Sequence, residues 1–122
     1  MVKINMGCGW RNFGSDWIHI DGGDYDHIDY VSDISNLNFM KSNSVEEIYA
    51  CHVLEHLKRN QIETTLTEWY RVLSSNGVLR ISVPNFESIV EYYREAKDLS
   101  KLQGLLYGGQ TYDYNFHHIA FD

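Results

Sequence analysis

A glycine-rich turn directly after a short apolar strand constrains the possible folds of this chain most. Apolar residues occupy alternate positions of residues 2–6, which is the period of a β-strand, and Gly7, Cys8 and Gly9 follow at once. Glycine adopts backbone angles that other residues reach only at a cost, and it has no side chain to keep a ligand away. In open α/β sheets, ligands bind at the carboxyl ends of the strands. The turn therefore predicts close approach of a small ligand to bare backbone.

An acidic residue ends the next predicted strand. Residues 17–20 are mostly apolar, and Asp21 follows them, twelve positions after Gly9. A glycine turn after one strand and a carboxylate after the next hold the ribose of a nucleotide-like cofactor in α/β folds. Residues 10–16 leave room for one turn of helix at most. We therefore predict a cofactor site here, with a loop in place of the usual crossover helix.

The rest of the pattern predicts a mostly parallel sheet with helical crossovers. Apolar runs predict three further strands, at residues 28–31, 45–51 and 78–83. A helix is predicted to begin at Asn60, which can cap it, and to end at Gly77 in a left-handed conformation. Five residues at helical spacing form its apolar face: Ile62, Leu66, Trp69, Tyr70 and Leu73. Asn85 can cap a second helix, and residues 99–107 can form a third.

Length and composition indicate one globular domain. The chain has 122 residues, 43% of them hydrophobic, which is enough for one core. The net charge is −7 and no basic stripe is present, so we expect no nucleic-acid partner. Two cysteines, Cys8 and Cys51, do not suggest a disulfide scaffold. Because no stretch resembles a signal peptide or a membrane span, we expect a soluble cytoplasmic protein.

Four blocks of sequence carry a family resemblance: residues 4–9, 17–21, 45–57 and 73–84. In this order they resemble the S-adenosylmethionine-dependent methyltransferases of the Rossmann-like type, in particular methyltransferase type 11. The resemblance implies an α/β fold with a Rossmann-like, mostly parallel five-stranded sheet flanked by helices, in a single domain of residues 1–122. It also implies a truncated domain that lacks the strand pair at the end of the full fold. The fifth strand would then be an uncovered edge, through which we expect a homodimer.

The resemblance also implies a set of cofactor-binding residues that follow the first four strands. They are Gly7, Cys8 and Gly9 at the methionine moiety, Asp21 at the two ribose hydroxyls, Asp33 and Ile34 at the adenine, and Cys51 and His52 at the sulfonium end. Methyl transfer from a sulfonium is an in-line displacement in which positioning matters most, so no metal is predicted.

The methyl acceptor is expected to be a small molecule or a glycan precursor, because the chain has no basic face for a nucleic acid. An oxygen or nitrogen acceptor can need a base to remove its proton. Four histidines are candidates by residue type: His52, His56, His117 and His118. Four aromatic residues are candidates for lining the acceptor site: Tyr107, Tyr112, Tyr114 and Phe116.

Other functions remain as alternatives. The chain could be a non-catalytic S-adenosylmethionine-binding remnant, or an interaction module, although the latter leaves the pairing of the glycine turn with Asp21 unexplained. A nicotinamide-dependent oxidoreductase shares both features but normally has a third glycine and a crossover helix. Residues 52–56 match H-x-x-E-H, the motif of inverted zinc peptidases, which needs both histidines on one helical face. Because the motif directly follows a strand, we expect His52 in a turn.

Overall fold

A parallel β-sheet forms the centre of the computed structural model, which describes residues 2–122. Within these residues the sheet has five strands in the order β3-β2-β1-β4-β5. The strands are β1 (Val2–Met6), β2 (Ile18–Asp21), β3 (Tyr30–Val31), β4 (Val45–Cys51) and β5 (Leu73–Ser82). Every neighbouring pair is parallel. The α/β, Rossmann-like sheet expected from the sequence is confirmed.

Three α-helices lie in the described part of the chain: α1 (Ile62–Val72), α2 (Phe86–Ala96) and α3 (Gln103–Tyr107). Short 3₁₀ turns precede α1 and α3 and follow β4. Asn85 caps α2 as predicted, since its Oδ1 accepts a hydrogen bond from the Ser88 amide at 2.7 Å. The crossover between β1 and β2 is a loop, as predicted. No helix of residues 2–122 is long and apolar enough to cross a membrane.

The middle strand β1 is buried on both faces. Ile4, Asn5 and Met6 are all buried, including the polar residue of the alternating pattern. Helices and loops cover both faces of a parallel sheet, so a polar residue of a middle strand needs its own partner. Asn5, which is 1% exposed, finds one by donating through Nδ2 to the Arg11 carbonyl at 3.2 Å. This bond fixes the start of the loop that leads to β2.

The predicted end of the first helix was wrong. Helix α1 ends at Val72, and β5 begins at once with Leu73, which pairs with Val45 of β4. Gly77 therefore lies inside β5, where the register between β4 and β5 shifts. A Cβ on Gly77 would lie 3.0 Å from the Val45 carbonyl oxygen. The glycine thus permits close approach of two strands and does not end a helix.

The start of α1 and its apolar face also differ from the prediction. Asn60 lies in a 3₁₀ turn, and the side chain that satisfies a backbone amide there is Gln61, which accepts from Lys58 at 2.9 Å. Tyr70 is 80% exposed, whereas Trp69 is fully buried. The buried stripe of the helix therefore runs through Thr65, Trp69 and Val72.

Candidate functional site

A cavity of about 320 Å³ opens at the carboxyl ends of the strands. In the sheet, β2 is the neighbour of β1 on one side and β4 is its neighbour on the other. The cavity therefore lies at the point where the strand order reverses. Open α/β sheets bind their ligands at such a point. Six of the eight residues predicted to bind the cofactor line the cavity: Gly7, Gly9, Asp21, Asp33, Ile34 and His52.

The two glycines of the turn after β1 have different structural roles. Both have left-handed backbone angles, with φ of +59° at Gly7 and +53° at Gly9. A Cβ on Gly7 would lie 2.7 Å from Cγ2 of Val53, so this glycine lets the loop after β4 pack onto the turn. A Cβ on Gly9 would meet no atom of the described residues within 4 Å. The space beside Gly9 is therefore open, and Gly9 itself lines the cavity.

The Asp21 carboxylate joins the end of β2 to the glycine turn. Its Oδ2 accepts a hydrogen bond from the Gly9 amide at 2.7 Å, and its Oδ1 accepts one from the Gly23 amide at 2.7 Å. A carboxylate has about four acceptor sites, so each oxygen keeps a lone pair for another donor. The residue can therefore accept the two hydroxyls of a ribose while it holds the turn in place.

The two cysteines do not line the cavity. Cys8 is 3% exposed, and burial, with a smaller contribution from the Asp21 charge, raises the pKa of its thiol to about 12. Its Sγ lies 3.9 Å from Nε2 of His27. Cys51 is the last residue of β4 and is half-buried. Contact of either residue with a cofactor stays a prediction from the family resemblance.

The loop after β3 forms the next part of the cavity lining. Oδ1 of Asp33 accepts hydrogen bonds from the amide and the hydroxyl of Ser35, at 2.8 and 2.7 Å, so this carboxylate shapes its own turn. The carbonyl of Ile34 accepts from Nε1 of Trp69 at 2.8 Å, which ties the loop to α1. Both predicted residues face the cavity, and Ser32, which was not predicted, lies beside them.

The loop after β4, residues 52–57, contains the H-x-x-E-H motif. His52 has a left-handed backbone with φ of +57°, and its Nδ1 lies 3.1 Å from Oε1 of Glu55. Only a 3₁₀ turn, Leu54–His56, follows. The two motif histidines therefore do not share a helical face, and the arrangement of an inverted zinc peptidase is not formed. The expectation that His52 lies in a turn is confirmed.

A C-terminal segment, residues 108–118, forms the outer wall of the cavity. The segment is held by backbone hydrogen bonds from His117 to the Tyr107 carbonyl at 3.0 Å and from His118 to the Glu55 carbonyl at 2.7 Å. A Cβ on Gly22 would lie 3.3 Å from the Tyr114 ring, so the wall also approaches the loop after β2 closely. Four residues of this segment line the cavity: Tyr112, Asp113, Tyr114 and His118.

The candidate acceptor and base residues separate into two groups. Tyr112 and Tyr114 line the cavity, whereas Tyr107 and Phe116 do not. Of the candidate bases, the three that line it are His52, His56 and His118. Burial lowers the pKa of His56 from its ordinary value, an effect partly offset by the Glu55 charge. The remaining histidine, His117, lies beside His56 with its ring centroid 4.8 Å away.

A comparison with models of protein families shows to which family the chain belongs. A family model described as a methyltransferase domain matches residues 14–81, which is more than half of the chain. The chain belongs to this methyltransferase family. Domains of the family generally bind S-adenosylmethionine. The match covers β2 to β4 and all of β5 except its last residue. It includes Asp21 and begins after the glycine turn. No curated protein and no solved structure matches the chain.

Proposed function

We propose that this methyltransferase-family chain binds S-adenosylmethionine in the cavity and transfers the methyl group to a small molecule, such as a glycan precursor. One observation carries the proposal. The Asp21 carboxylate lines the cavity beside the glycine turn, and each of its oxygens accepts one backbone amide and keeps a lone pair. A carboxylate in this position can accept hydrogen bonds from the hydroxyls of a ribose.

The residues at the cavity suit the cofactor in their chemistry. The open space above Gly9 admits the methionine moiety against bare backbone. Asp33 and Ile34 provide a polar and an apolar group for the adenine, while Cys51 and His52 would stand near the sulfonium. The cofactor supplies an activated methyl group, so the task of the protein is to align it with the acceptor. Tyr112 and Tyr114 can hold such an acceptor on the outer side.

We assign the role of base toward an oxygen or nitrogen acceptor to His52. The buried carboxylate of Glu55 accepts from its Nδ1, which leaves Nε2 as the free acceptor of a proton. Asparagine tolerates a left-handed backbone, so His52→Asn should keep the loop conformation. We expect kcat to fall by roughly 10²- to 10⁴-fold. The Kd for S-adenosylmethionine should change much less, because Asp21 and the glycine turn are unaltered. An unchanged kcat would remove His52 from this role.

Calorimetric titration with S-adenosylmethionine, S-adenosylhomocysteine and NAD tests the cofactor. Saturable binding of the first two compounds and not of NAD is expected. Production of S-adenosylhomocysteine in the presence of a panel of small hydroxyl and amine compounds then separates an enzyme from a non-catalytic binding remnant. If NAD alone binds, the nicotinamide-dependent alternative replaces the proposal; if no ligand binds, the cofactor assignment is refuted.

We propose that a second copy of the chain binds at the open edge of β5. β5 is the last strand in the sheet order, and no other strand of residues 2–122 pairs with its outer side. Val78 and Ile81 of this strand are 47% and 42% exposed. Open edges with apolar residues favour pairing with another chain. Light scattering should give twice the chain mass of 14.3 kDa. Ile81→Lys should give the mass of one chain, whereas Tyr70→Lys, at an exposed position of α1, should leave the dimer intact. A monomeric wild type would contradict the dimer.

A reducing compartment, the cytoplasm, is the proposed location. Both Cys8 and Cys51 are free thiols, and proteins of oxidising compartments usually pair their cysteines. Fractionation of cells that express the chain should recover it with cytoplasmic markers. Recovery with a secreted fraction would contradict this part of the proposal.

A further inference from the structure

Three side chains that can bind a metal ion meet beside the cavity. Glu55, His56 and His117 each offer a ligand atom, and these atoms lie within 4.8 Å of one another. The loop after β4 contributes the first two residues, and the C-terminal segment contributes the third. Atoms bound to one zinc ion at about 2.0–2.1 Å lie roughly 3.3 Å apart in a tetrahedron, so small side-chain movements suffice to close the group.

Backbone carbonyls orient both imidazole rings. Nδ1 of His56 lies 3.1 Å from the Phe116 carbonyl oxygen, and Nδ1 of His117 lies 2.9 Å from the Leu105 carbonyl oxygen. A carbonyl only accepts, so each Nδ1 carries a proton, and the lone pair of the neutral ring is on Nε2. Histidine ligands of metals are almost always held in this way, by a hydrogen bond from the other ring nitrogen.

The carboxylate of Glu55 lacks a partner on one oxygen. The side chain is fully buried, and its Oε1 is paired with Nδ1 of His52 at 3.1 Å. Its Oε2 has no hydrogen-bond partner among residues 2–122. Burial of a carboxylate oxygen without a hydrogen-bond donor or a cation costs folding free energy, and such oxygens are rare in native structures. This oxygen belongs to the same group of side chains as the two oriented rings, and a cation there would remove the cost.

We propose that Glu55, His56 and His117 bind one divalent transition-metal ion of the kind that imidazole prefers, with zinc as the reference. Two imidazoles and one carboxylate are a common set for zinc and for non-haem iron, and they leave coordination positions open. Because His56 also lines the cavity, such an ion would lie at the cavity edge. It would fasten the C-terminal segment to the loop after β4. His52 is not a ligand in this arrangement, which distinguishes it from the peptidase motif.

Zinc titration of untagged protein, first stripped with a chelator, tests the site. We expect one equivalent of Zn²⁺ to bind, to raise the unfolding temperature and to slow proteolysis of residues 108–118. His117→Gln and His56→Gln should each weaken binding at least 100-fold. His27→Gln is the matched control, since this histidine lies outside the group, and it should bind zinc as the wild type does. Circular dichroism before zinc is added checks that each variant is folded.

Three results would overturn the metal site. The wild type could fail to bind a stoichiometric ion, His27→Gln could lose binding as strongly as His117→Gln, or binding could depend on His52 and not on His117. If His56→Gln does not fold, the zinc affinity of His117→Gln alone still tests the site, because His117 is on the C-terminal segment. The titration uses no cofactor, so its failure would leave the proposed methyltransferase function unaffected.

Discussion

Replacement of Asp21 by asparagine tests the cofactor site most directly. The carboxylate accepts from two backbone amides, Gly9 and Gly23, each at 2.7 Å. Asparagine keeps one acceptor oxygen and turns the other into a donor, so one amide loses its partner and the charge is lost as well. A hydrogen bond to a charged group contributes about 1.5–3 kcal/mol. We therefore expect the free energy of unfolding without ligand to fall by about that amount.

The same substitution should weaken cofactor binding. If the ribose hydroxyls donate to Asp21, loss of the charged acceptor should raise the Kd for S-adenosylmethionine by roughly 10- to 150-fold, the equivalent of about 1.5–3 kcal/mol. Calorimetric titration measures the Kd, and urea unfolding measures the stability. Asp24→Asn is the control, because Asp24 is exposed, carries the same charge and does not line the cavity. A variant at Asp21 that is destabilised yet binds within twofold of the wild type would refute the reasoning.

Three further predictions concern the turn, the thiol and the core. Alanine at either glycine of the turn should cost about 1–2 kcal/mol of stability from the strain of a left-handed backbone. Gly7→Ala should cost more than this, because its methyl would lie 2.7 Å from Val53, whereas Gly9→Ala should cost only the strain but block the cofactor. Urea unfolding measures the loss of stability, and calorimetric titration measures the loss of cofactor binding. Cys8, with a pKa of about 12, should have about one thiolate in 10⁴ at pH 8 and react with alkylating reagents only on unfolding. Because the unfolded chain loses this proton first, the free energy of unfolding should also fall as pH rises above about 8.5. Trp69→Phe should lower the free energy of unfolding by about 1–3 kcal/mol, since its Nε1 bond to the loop after β3 is lost.

Local sequence patterns predicted the parts of the fold that depend on neighbouring residues. Strand β4 has the predicted bounds, and Asn85 caps α2 as its side-chain chemistry indicates. The pairing of the glycine turn with Asp21 also follows from local order, because parallel strands that are adjacent in the sheet bring their carboxyl ends together. The strand and the cap depend only on residues close in sequence, whereas the pairing with Asp21 also depends on the adjacency of β1 and β2.

Features that depend on distant contacts were predicted poorly. Gly77 had the position of a helix terminator, but pairing of Leu73 with Val45 of β4 ends α1 earlier. That pairing joins residues far apart in sequence, so no local pattern indicates it. Residues 108–118 show no strand or helix period, because their place is fixed by single bonds such as that from the His118 amide to the Glu55 carbonyl. Glu55 and His117 are likewise separated by sixty-two positions, so spacing could not suggest a shared ligand set.

The C-terminal segment contacts both the proposed zinc site and the proposed S-adenosylmethionine site. Its His118 amide bonds to the Glu55 carbonyl, while Tyr112 and Tyr114 of the same segment line the cavity. A zinc ion on Glu55 and His117 would order this segment before the cofactor binds. If cofactor binding requires the segment to be ordered, the protein would then lose less conformational entropy when the cofactor binds. Coupling of this kind is reciprocal: the factor by which zinc tightens S-adenosylmethionine binding must equal the factor by which S-adenosylmethionine tightens zinc binding. A factor of one in both titrations would mean that zinc and S-adenosylmethionine do not act on one shared equilibrium of the wall.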